Sequence, residues 1–111
     1  MKRNWAMKWA KALESGRYKQ TKLVLHDSNG YCCLGVLCRL AGKRFKYDHT
    51  EGLYLTIERS GTFLPKKVQK LVGMKSENGL NSGHSLSMLN DESMLSFKEI
   101  AQVIRKKYKE L

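Results

Sequence analysis

The stretch YCCLGVLCRLAG, residues 31–42, contains all three cysteines of the 111-residue chain. Its apolar residues recur at helical spacing, and Gly42 is placed to end a helix. A structural zinc site pairs Cys-x2-4-Cys with a second pair of ligands, and the three scattered histidines do not supply one. A redox pair would need Cys-x-x-Cys, which is absent as well. Because free cysteine is among the most buried residue types, the stretch predicts a core helix rather than a metal site or a reactive thiol.

The segments on either side of this helix have the pattern of β-hairpins. KLVL, residues 22–25, predicts a short strand, and Asn29 with Gly30 suits the turn that leads back to Tyr31. Residues 43–58 predict a second β region around a turn at residues 49–52. The side chains expected on one face of this region are Leu53, Leu55 and Ile57.

The first 14 residues have the pattern of a helix. Asn4 is placed to cap it, and Trp5 and Trp9 lie on one face at helical spacing. Such a stripe is typical of a core face, and stacking of the two indoles on nucleic-acid bases is the alternative.

Two more helices are predicted in the second half of the chain. Pro65 indicates the first turn of a helix that ends at Gly73. Ser96 and Glu99 have the spacing of a capping box at the start of a final amphipathic helix. The Gly-, Asn- and Ser-rich residues 74–86 predict a surface loop between them.

Length and composition indicate a single globular domain over residues 1–111, with 41% hydrophobic and 28% charged residues. The predicted class is α+β, with about four helices and a small antiparallel sheet. No apolar run approaches the roughly 20 residues that cross a bilayer, and the N-terminus lacks the apolar stretch of a signal peptide. We therefore expect a cytoplasmic protein that contacts no membrane.

The net charge of +11 is concentrated at the two ends of the chain. Residues 1–22 have seven Lys or Arg against Glu14 alone, and residues 98–111 have five against two acidic residues. If the terminal segments lie side by side, they form one basic surface that attracts phosphate groups. The predicted basic surface consists of Lys2, Arg3, Lys8, Lys11, Arg105 and Lys106. A solvated surface that only aids solubility is the alternative.

Acidic residues offer one possible catalytic site. Asp91 and Glu92, aided by Asp48 or Glu51, would be able to bind a divalent ion for phosphodiester chemistry. The favoured alternative is that Asn90 and Asp91 form a turn or an N-cap before the final helix. P-loop, Rossmann, zinc-protease and hydrolase motifs are all missing, so no catalytic residue, metal site or cofactor is predicted.

Five stretches carry a resemblance to a protein family: WAKALESGRYKQ, YCCLGVLCRLAG, FLPKKVQKLVG, LSMLND and SFKEIAQVI. Together they resemble a family of small, mostly uncharacterised proteins of bacteriophages and prophages. The polar members of the family pattern are here Tyr18, Gln20, Asn90 and Asp91. The chain departs from the pattern in residues 92–95, where a shorter glycine-containing turn is familiar.

These observations favour a non-enzymatic phage accessory protein that binds an anionic ligand and interferes with host machinery in the cytoplasm of the infected bacterium. In one version, the basic surface lies along the phosphates of a nucleic acid. In the other, a pocket sequesters a phosphorylated signalling nucleotide from a defence effector. The predicted ligand-binding residues are Arg17, Tyr18, Lys19, Gln20, Asn90 and Asp91. A metal-dependent phosphodiesterase or nuclease, and a protein inhibitor of a nucleic-acid-binding host enzyme, are the two other hypotheses.

Overall fold

The computed structural model describes residues 1–56, 58–81 and 83–111, and in this part of the chain there are five helices and three antiparallel hairpins. The helices are α1 (Arg3–Glu14), α2 (Cys33–Leu40), α3 (Lys66–Val72), α4 (Leu86–Asp91) and α5 (Phe97–Lys107). The hairpins pair β1 (His26–Asp27) with β2 (Gly30–Tyr31), β3 (Lys46–Asp48) with β4 (Leu53–Leu55), and β5 (Leu80–Asn81) with β6 (His84–Ser85). The predicted α+β class is confirmed, and its β structure is divided among separate two-stranded sheets.

The cysteine stretch forms the buried helix α2, as predicted. Cys33 and Cys38 are fully buried, and Cys32 is 4% exposed just before the helix. Burial raises the pKa of the Cys32 and Cys38 thiols to about 12 and raises the pKa of Cys33 well above its ordinary value. Buried thiols that stay protonated at neutral pH are poor nucleophiles, and these cysteines pack as small apolar core residues.

Helix α2 packs directly on the backbone of residue 25. A Cβ atom at Gly35 would lie 1.8 Å from the Leu25 carbonyl oxygen, so no larger residue fits there. The same carbonyl accepts a hydrogen bond from the Cys32 backbone N–H at 3.1 Å. Glycine in the CCLG sequence is therefore required by a close approach of two backbones.

The two terminal helices pack against each other, which confirms their predicted adjacency, and α1 also packs on α2. Trp9 is fully buried, and its indole Nε1 donates to the Cys33 carbonyl oxygen at 2.9 Å, so its predicted place in the core is confirmed. The N-terminal ammonium of Met1 donates to the Leu111 carbonyl oxygen at 3.2 Å. The predicted Asn4 cap is wrong, because α1 begins at Arg3, one residue earlier.

The first predicted hairpin is present, but its first strand begins at His26, directly after KLVL. His26 pairs with Tyr31, and the Asp27 carboxylate accepts hydrogen bonds from the backbone N–H groups of Asn29 and Gly30. Residues 22–25 do not form a strand in the structure, because their backbone groups are bound by scattered partners. One of them, Leu23, has a φ of 71° and is 73% exposed.

The other predicted hairpin is confirmed, with Tyr47 paired to Tyr54 across β3 and β4. Ile57, which was expected on its apolar face, lies outside the described residues. Helix α3 follows Pro65 and ends at Gly73, whose φ of 73° is left-handed, also as predicted. The buried face of α3 consists of Val68 and Val72.

The segment between α3 and α5 contains more regular structure than the sequence predicted. The expected loop at residues 74–86 includes the hairpin of β5 and β6, and helix α4 follows it. Ser85 caps α4 by accepting a hydrogen bond from the Met88 backbone N–H at 3.1 Å. Asn90 and Asp91 lie in the last turn of this helix, so the turn or N-cap predicted for them is wrong. The capping box of Ser96 and Glu99 at α5 is confirmed.

Within the described part of the chain, the longest apolar helical segments fall short of the length and hydropathy needed to cross a bilayer.

The contact between Gly35 and Leu25 generates a stability prediction. Gly35→Ala should lower the free energy of unfolding by about 3 kcal/mol or more, since the added methyl group meets a backbone oxygen that cannot rotate away. Gly61→Ala is the matched control, because the closest atom to its methyl group would be at the mobile end of the Leu55 side chain, at 2.9 Å, and the nearest backbone oxygen would be 3.6 Å away. Urea denaturation of both variants measures the difference. Equal losses would contradict the close packing of α2 on residue 25.

Candidate functional site

The polar residues of the family pattern converge on the side-chain amide of Asn90. Its Oδ1 accepts from Gln20 Nε2 at 2.9 Å and from the Cys33 backbone N–H at 3.2 Å. Its Nδ2 donates to the Thr21 carbonyl oxygen at 2.8 Å and to Asp91 Oδ1 at 2.9 Å. Asn90 is fully buried, so all of its hydrogen-bonding capacity is used inside the protein.

Gln20 and Asp91 belong to the same internal network. Gln20 Nε2 also donates to the Leu95 carbonyl oxygen at 2.8 Å, and Asp91 Oδ1 accepts from the Leu23 backbone N–H at 2.9 Å. Gln20 and Asn90, which the sequence predicted to belong to one site, are therefore in contact although they lie 70 positions apart in the chain. In this structure their contacts hold the fold together. Asp91 also borders an open cleft of about 440 Å³, together with Leu23 and Glu92.

The remaining predicted ligand-binding residues, Arg17, Tyr18 and Lys19, lie elsewhere. The side chains of Arg17 and Lys19 are exposed, and Tyr18 is half-buried. The Tyr18 ring meets the Tyr31 ring edge-to-face, with 5.5 Å between ring centroids. Through this contact Tyr18 packs against the hairpin of β1 and β2. The same hairpin contributes His26 and Tyr31 to a cleft.

Five of the six residues predicted for the basic surface are exposed. They are Lys2, Arg3, Lys8, Lys11 and Lys106. Arg105, by contrast, is half-buried and forms a bidentate ion pair with the Glu14 carboxylate, in which Nη1 lies 2.6 Å from Oε2. Its charge is thus neutralised between α1 and α5, which leaves this surface mainly to lysines.

The acidic residues of the metal-site hypothesis do not form a ligand group. No set of three or more His, Cys, Asp and Glu side chains is placed to hold a metal ion in the described ranges of the chain. Asp91 is committed to Leu23 and Asn90, and Asp48 is paired with Arg59 at 2.9 Å. Asp91, Glu92, Asp48 and Glu51 therefore do not assemble as that hypothesis requires.

Sequence analysis missed a cleft between the C-terminal end of α2 and the first hairpin. It encloses about 580 Å³, and we call it the Arg39 cleft. Its walls combine two arginines with three aromatic rings: His26, Tyr31, Arg39, Gly42, Arg44 and Phe45. The left-handed Gly42, with a φ of 81°, ends α2 and turns the chain so that Arg44 faces the same cleft as Arg39.

The aromatic rings of the Arg39 cleft form one cluster. His26 stacks on Tyr31 with centroids 4.1 Å apart and an interplanar angle of 19°. The His26 ring lies 5.2 Å from that of Phe45 and 4.8 Å from that of Tyr54. His26 Nδ1 is 2.7 Å from the Gly30 carbonyl oxygen, which can only accept, so Nδ1 is the protonated nitrogen that fixes the ring orientation.

A second cleft adjoins the first, and we call it the Arg59 cleft. It encloses about 420 Å³ and is lined by residues 44–48, Leu55, Thr56 and Arg59. Arg44 and Phe45 belong to both clefts and form their common wall. The Tyr47 ring packs edge-to-face on Tyr54, with centroids 5.3 Å apart, which connects the second cleft to the aromatic cluster.

Ion pairs decide which cations of this region are available for a ligand. Lys43 Nζ lies 2.6 Å from Glu58 Oε1, and Arg59 pairs with Asp48. The Lys43 hydrogen bond is the main cause that lowers the pKa of Glu58. The pKa of Asp48 is lowered mainly by a hydrogen bond from the Glu51 backbone N–H, and the contact with Arg59 lowers it further.

Arg39 and Arg44 have no carboxylate partner in residues 1–56, 58–81 and 83–111. Arg39 Nη1 donates instead to the Lys43 carbonyl oxygen at 3.3 Å, which brings its guanidinium next to the residue before Arg44. Two unpaired guanidinium groups beside aromatic rings are suited to a phosphate-bearing ligand, because guanidinium binds phosphate through paired hydrogen bonds.

The signal for this site was present in the sequence. Residues 39–49, RLAGKRFKYDH, interleave basic and aromatic residues, a pattern of nucleic-acid-binding surfaces. The signal was hidden because the central segment has a small net charge, and only the structure shows which of its cations are paired.

The internal network predicts that Asn90 is required for stability. Asn90→Ala should lower the free energy of unfolding by about 2–4 kcal/mol, since it leaves the buried Cys33 N–H and the Thr21 carbonyl unsatisfied. Asn4→Ala, on the exposed face of α1, is the control and should change stability by less than about 0.5 kcal/mol. Denaturant unfolding measures both, and similar values would contradict the role of Asn90.

The ion pair of Arg105 and Glu14 predicts a pH dependence of stability. The Arg105 hydrogen bond lowers the pKa of Glu14 from its ordinary value of 4.5. A carboxyl with a lower pKa in the folded state stabilises that state above its unfolded pKa, and this contribution is lost as pH falls through the folded pKa. Glu14→Gln should therefore lower Tm at neutral pH, and its difference from wild type should shrink below about pH 4.5.

Thermal unfolding between neutral and acidic pH tests this expectation. Glu77→Gln is the control, because Glu77 is exposed and has no ion pair in the described ranges. A Tm difference for Glu14→Gln that stays constant down to about pH 3 would rule out the ion pair as its cause.

Comparison with known proteins identifies a family without naming an activity. Residues 1–108 match the family model described as "Domain of unknown function (DUF8296)". A search of curated proteins and a search of solved structures each found no match to the chain. The match covers all five helices and the three hairpins that the structure describes. The chain is therefore a member of the DUF8296 family.

Proposed function

We propose that this protein binds nucleic acid or a nucleotide, without catalysis, at the Arg39 cleft. The observation that carries the proposal is the pair of arginines, Arg39 and Arg44, that share one cleft with three aromatic rings. Guanidinium groups bind phosphate oxygens, and aromatic rings offer stacking surfaces for bases. Together they supply recognition for both chemical parts of a nucleotide.

The Arg39 cleft is better suited to specific binding than the predicted basic surface. Lysines dominate that surface, and its one partly buried cation, Arg105, is already paired with Glu14. Lys8 Nζ lies 4.9 Å from the centre of the Trp5 ring, so this cation too has an intramolecular partner. The terminal lysines support the proposal in another way, because a net charge of +11 attracts polyanions over long distances.

The phage resemblance suggests where such binding would matter. A small phage protein that sequesters a nucleic acid or nucleotide would counteract a host defence that depends on that ligand. This assignment to an infected bacterial cell belongs to the proposal and rests on the resemblance of the five sequence stretches alone.

Binding to a labelled single strand tests the proposal. Fluorescence anisotropy with an oligonucleotide of ~10 nucleotides of mixed sequence should show saturable binding that weakens with salt. Arg44→Ala should reduce the affinity about tenfold or more, since it removes a charge-assisted contact to phosphate. Arg39→Ala should have a similar effect.

Lys11→Ala is the matched control, because it removes one exposed positive charge from the predicted basic surface without touching the cleft. It should reduce the affinity by no more than about threefold, as expected for a screened surface charge. Equal effects of Arg44→Ala and Lys11→Ala would show that charge alone determines binding. Absence of saturable binding by the wild-type protein would refute the proposed function. Circular dichroism of each variant verifies that it is folded.

A further inference from the structure

The common wall of the two clefts points to the length of the ligand. We infer that the protein binds two consecutive nucleotide units joined by a phosphodiester, one in each cleft, with the bridging phosphate at Arg44. This inference rests on the proposed function and makes it more specific. It starts from the observation that Arg44 and Phe45 line both the Arg39 cleft and the Arg59 cleft.

Each cleft has the size of a separate small-molecule site. Volumes of about 580 Å³ and about 420 Å³ both fall in the range of roughly 300–1,000 Å³ that is usual for such pockets. A single nucleotide in the Arg39 cleft would leave the Arg59 cleft to solvent. Two units joined across the common wall would use both.

Each cleft also has an aromatic ring of its own. Tyr31 and His26 belong to the Arg39 cleft, Tyr47 belongs to the Arg59 cleft, and Phe45 lies between them. Bases stack on such rings only when they are unpaired, because neighbouring pairs cover their faces in a duplex. The two units therefore belong to a single-stranded ligand.

The distribution of guanidinium charge favours the common wall as the place of the phosphate, with the exposed Lys46 of the Arg59 cleft as a neighbouring cation. In the Arg59 cleft, Arg59 is neutralised by Asp48 at 2.9 Å. Arg44 has no carboxylate partner among the described residues, and Arg39 is held beside the same wall by its hydrogen bond to the Lys43 carbonyl oxygen. Unpaired guanidinium charge is thus concentrated between the clefts, where the internal phosphate of a dinucleotide would lie.

A dinucleoside monophosphate without terminal phosphates is the decisive probe. It has one phosphate and two bases, whereas a nucleoside monophosphate has the larger negative charge and one base. Charge alone favours the mononucleotide, and the double cleft favours the dinucleotide. We expect isothermal titration calorimetry to show that the dinucleotide binds about tenfold more tightly or better, as one additional stacked base allows.

Tyr47→Ala should abolish this difference and leave binding of the mononucleotide unchanged, because Tyr47 lines the Arg59 cleft and does not line the Arg39 cleft. Phe63→Ala is the matched control, since Phe63 lies outside both clefts and has the same exposed fraction, 43%, as Tyr47. It should retain the difference. A wild-type protein that binds both probes equally would overturn the two-unit inference and leave the proposed function intact. Failure of both probes and of the longer strand to bind would overturn both.

A third titration distinguishes a free dinucleotide from a segment of a longer strand. An unlabelled strand of ~10 nucleotides that binds at least as tightly as the dinucleotide would identify the interior of a single strand as the ligand. A strand that binds much more weakly, while the dinucleotide shows its advantage, would identify a free dinucleotide.

Discussion

The buried amide of Asn90 is the interaction on which the rest of this structure depends. The first N–H groups of a helix have no partner within it, and α2 has no side-chain cap from Cys32 among the described contacts. Asn90 supplies one from the far end of the chain by accepting from the Cys33 N–H, while its Nδ2 holds the Thr21 carbonyl oxygen. One side chain thus fixes α4, the start of α2 and the segment before the first hairpin. Because the amide is completely buried, the water that would replace these bonds is excluded.

The position of α2 determines the position of the candidate site. The helix is held at its start by Asn90 and along its length by the contact of Gly35 with Leu25, so its C-terminal end has little freedom. That end carries Arg39, and the next residues lead through Gly42 to Arg44. Tyr31, which also lines the cleft, directly precedes Cys32 at the other end of the same helix. Both walls therefore extend from one buried element, which is how a rigid scaffold positions binding residues on short loops.

Predictions from the sequence were accurate where the determining interaction is local. The capping box of α5, the left-handed Gly73 after α3 and the buried stripe of α2 each depend on residues within one or two turns. The predictions were wrong where the structure of a segment depends on partners that are distant in sequence. Residues 22–25 look like a strand, but Leu23 N–H binds the Asp91 carboxylate and Leu25 N–H binds the Gly61 carbonyl oxygen. Helix α4 is short, and its packing against α2 and α5 could not be deduced from its own sequence.

The same distinction explains why the sequence predicted a basic surface at the two ends of the chain and the candidate site was missed. Net charge of a segment predicts attraction of an anion, but it does not show which cations remain unpaired after folding. Arg105 belongs to a strongly basic segment and is neutralised by Glu14, 91 positions away. Arg44 belongs to a nearly neutral segment and has no carboxylate partner among the described residues, whereas its neighbours Arg59 and Lys43 are paired with Asp48 and Glu58. Specific recognition of an anion needs a cation that is not already paired with a carboxylate of the protein. An anionic ligand therefore gains more binding free energy at the cleft beside Arg44 than at the most basic segment.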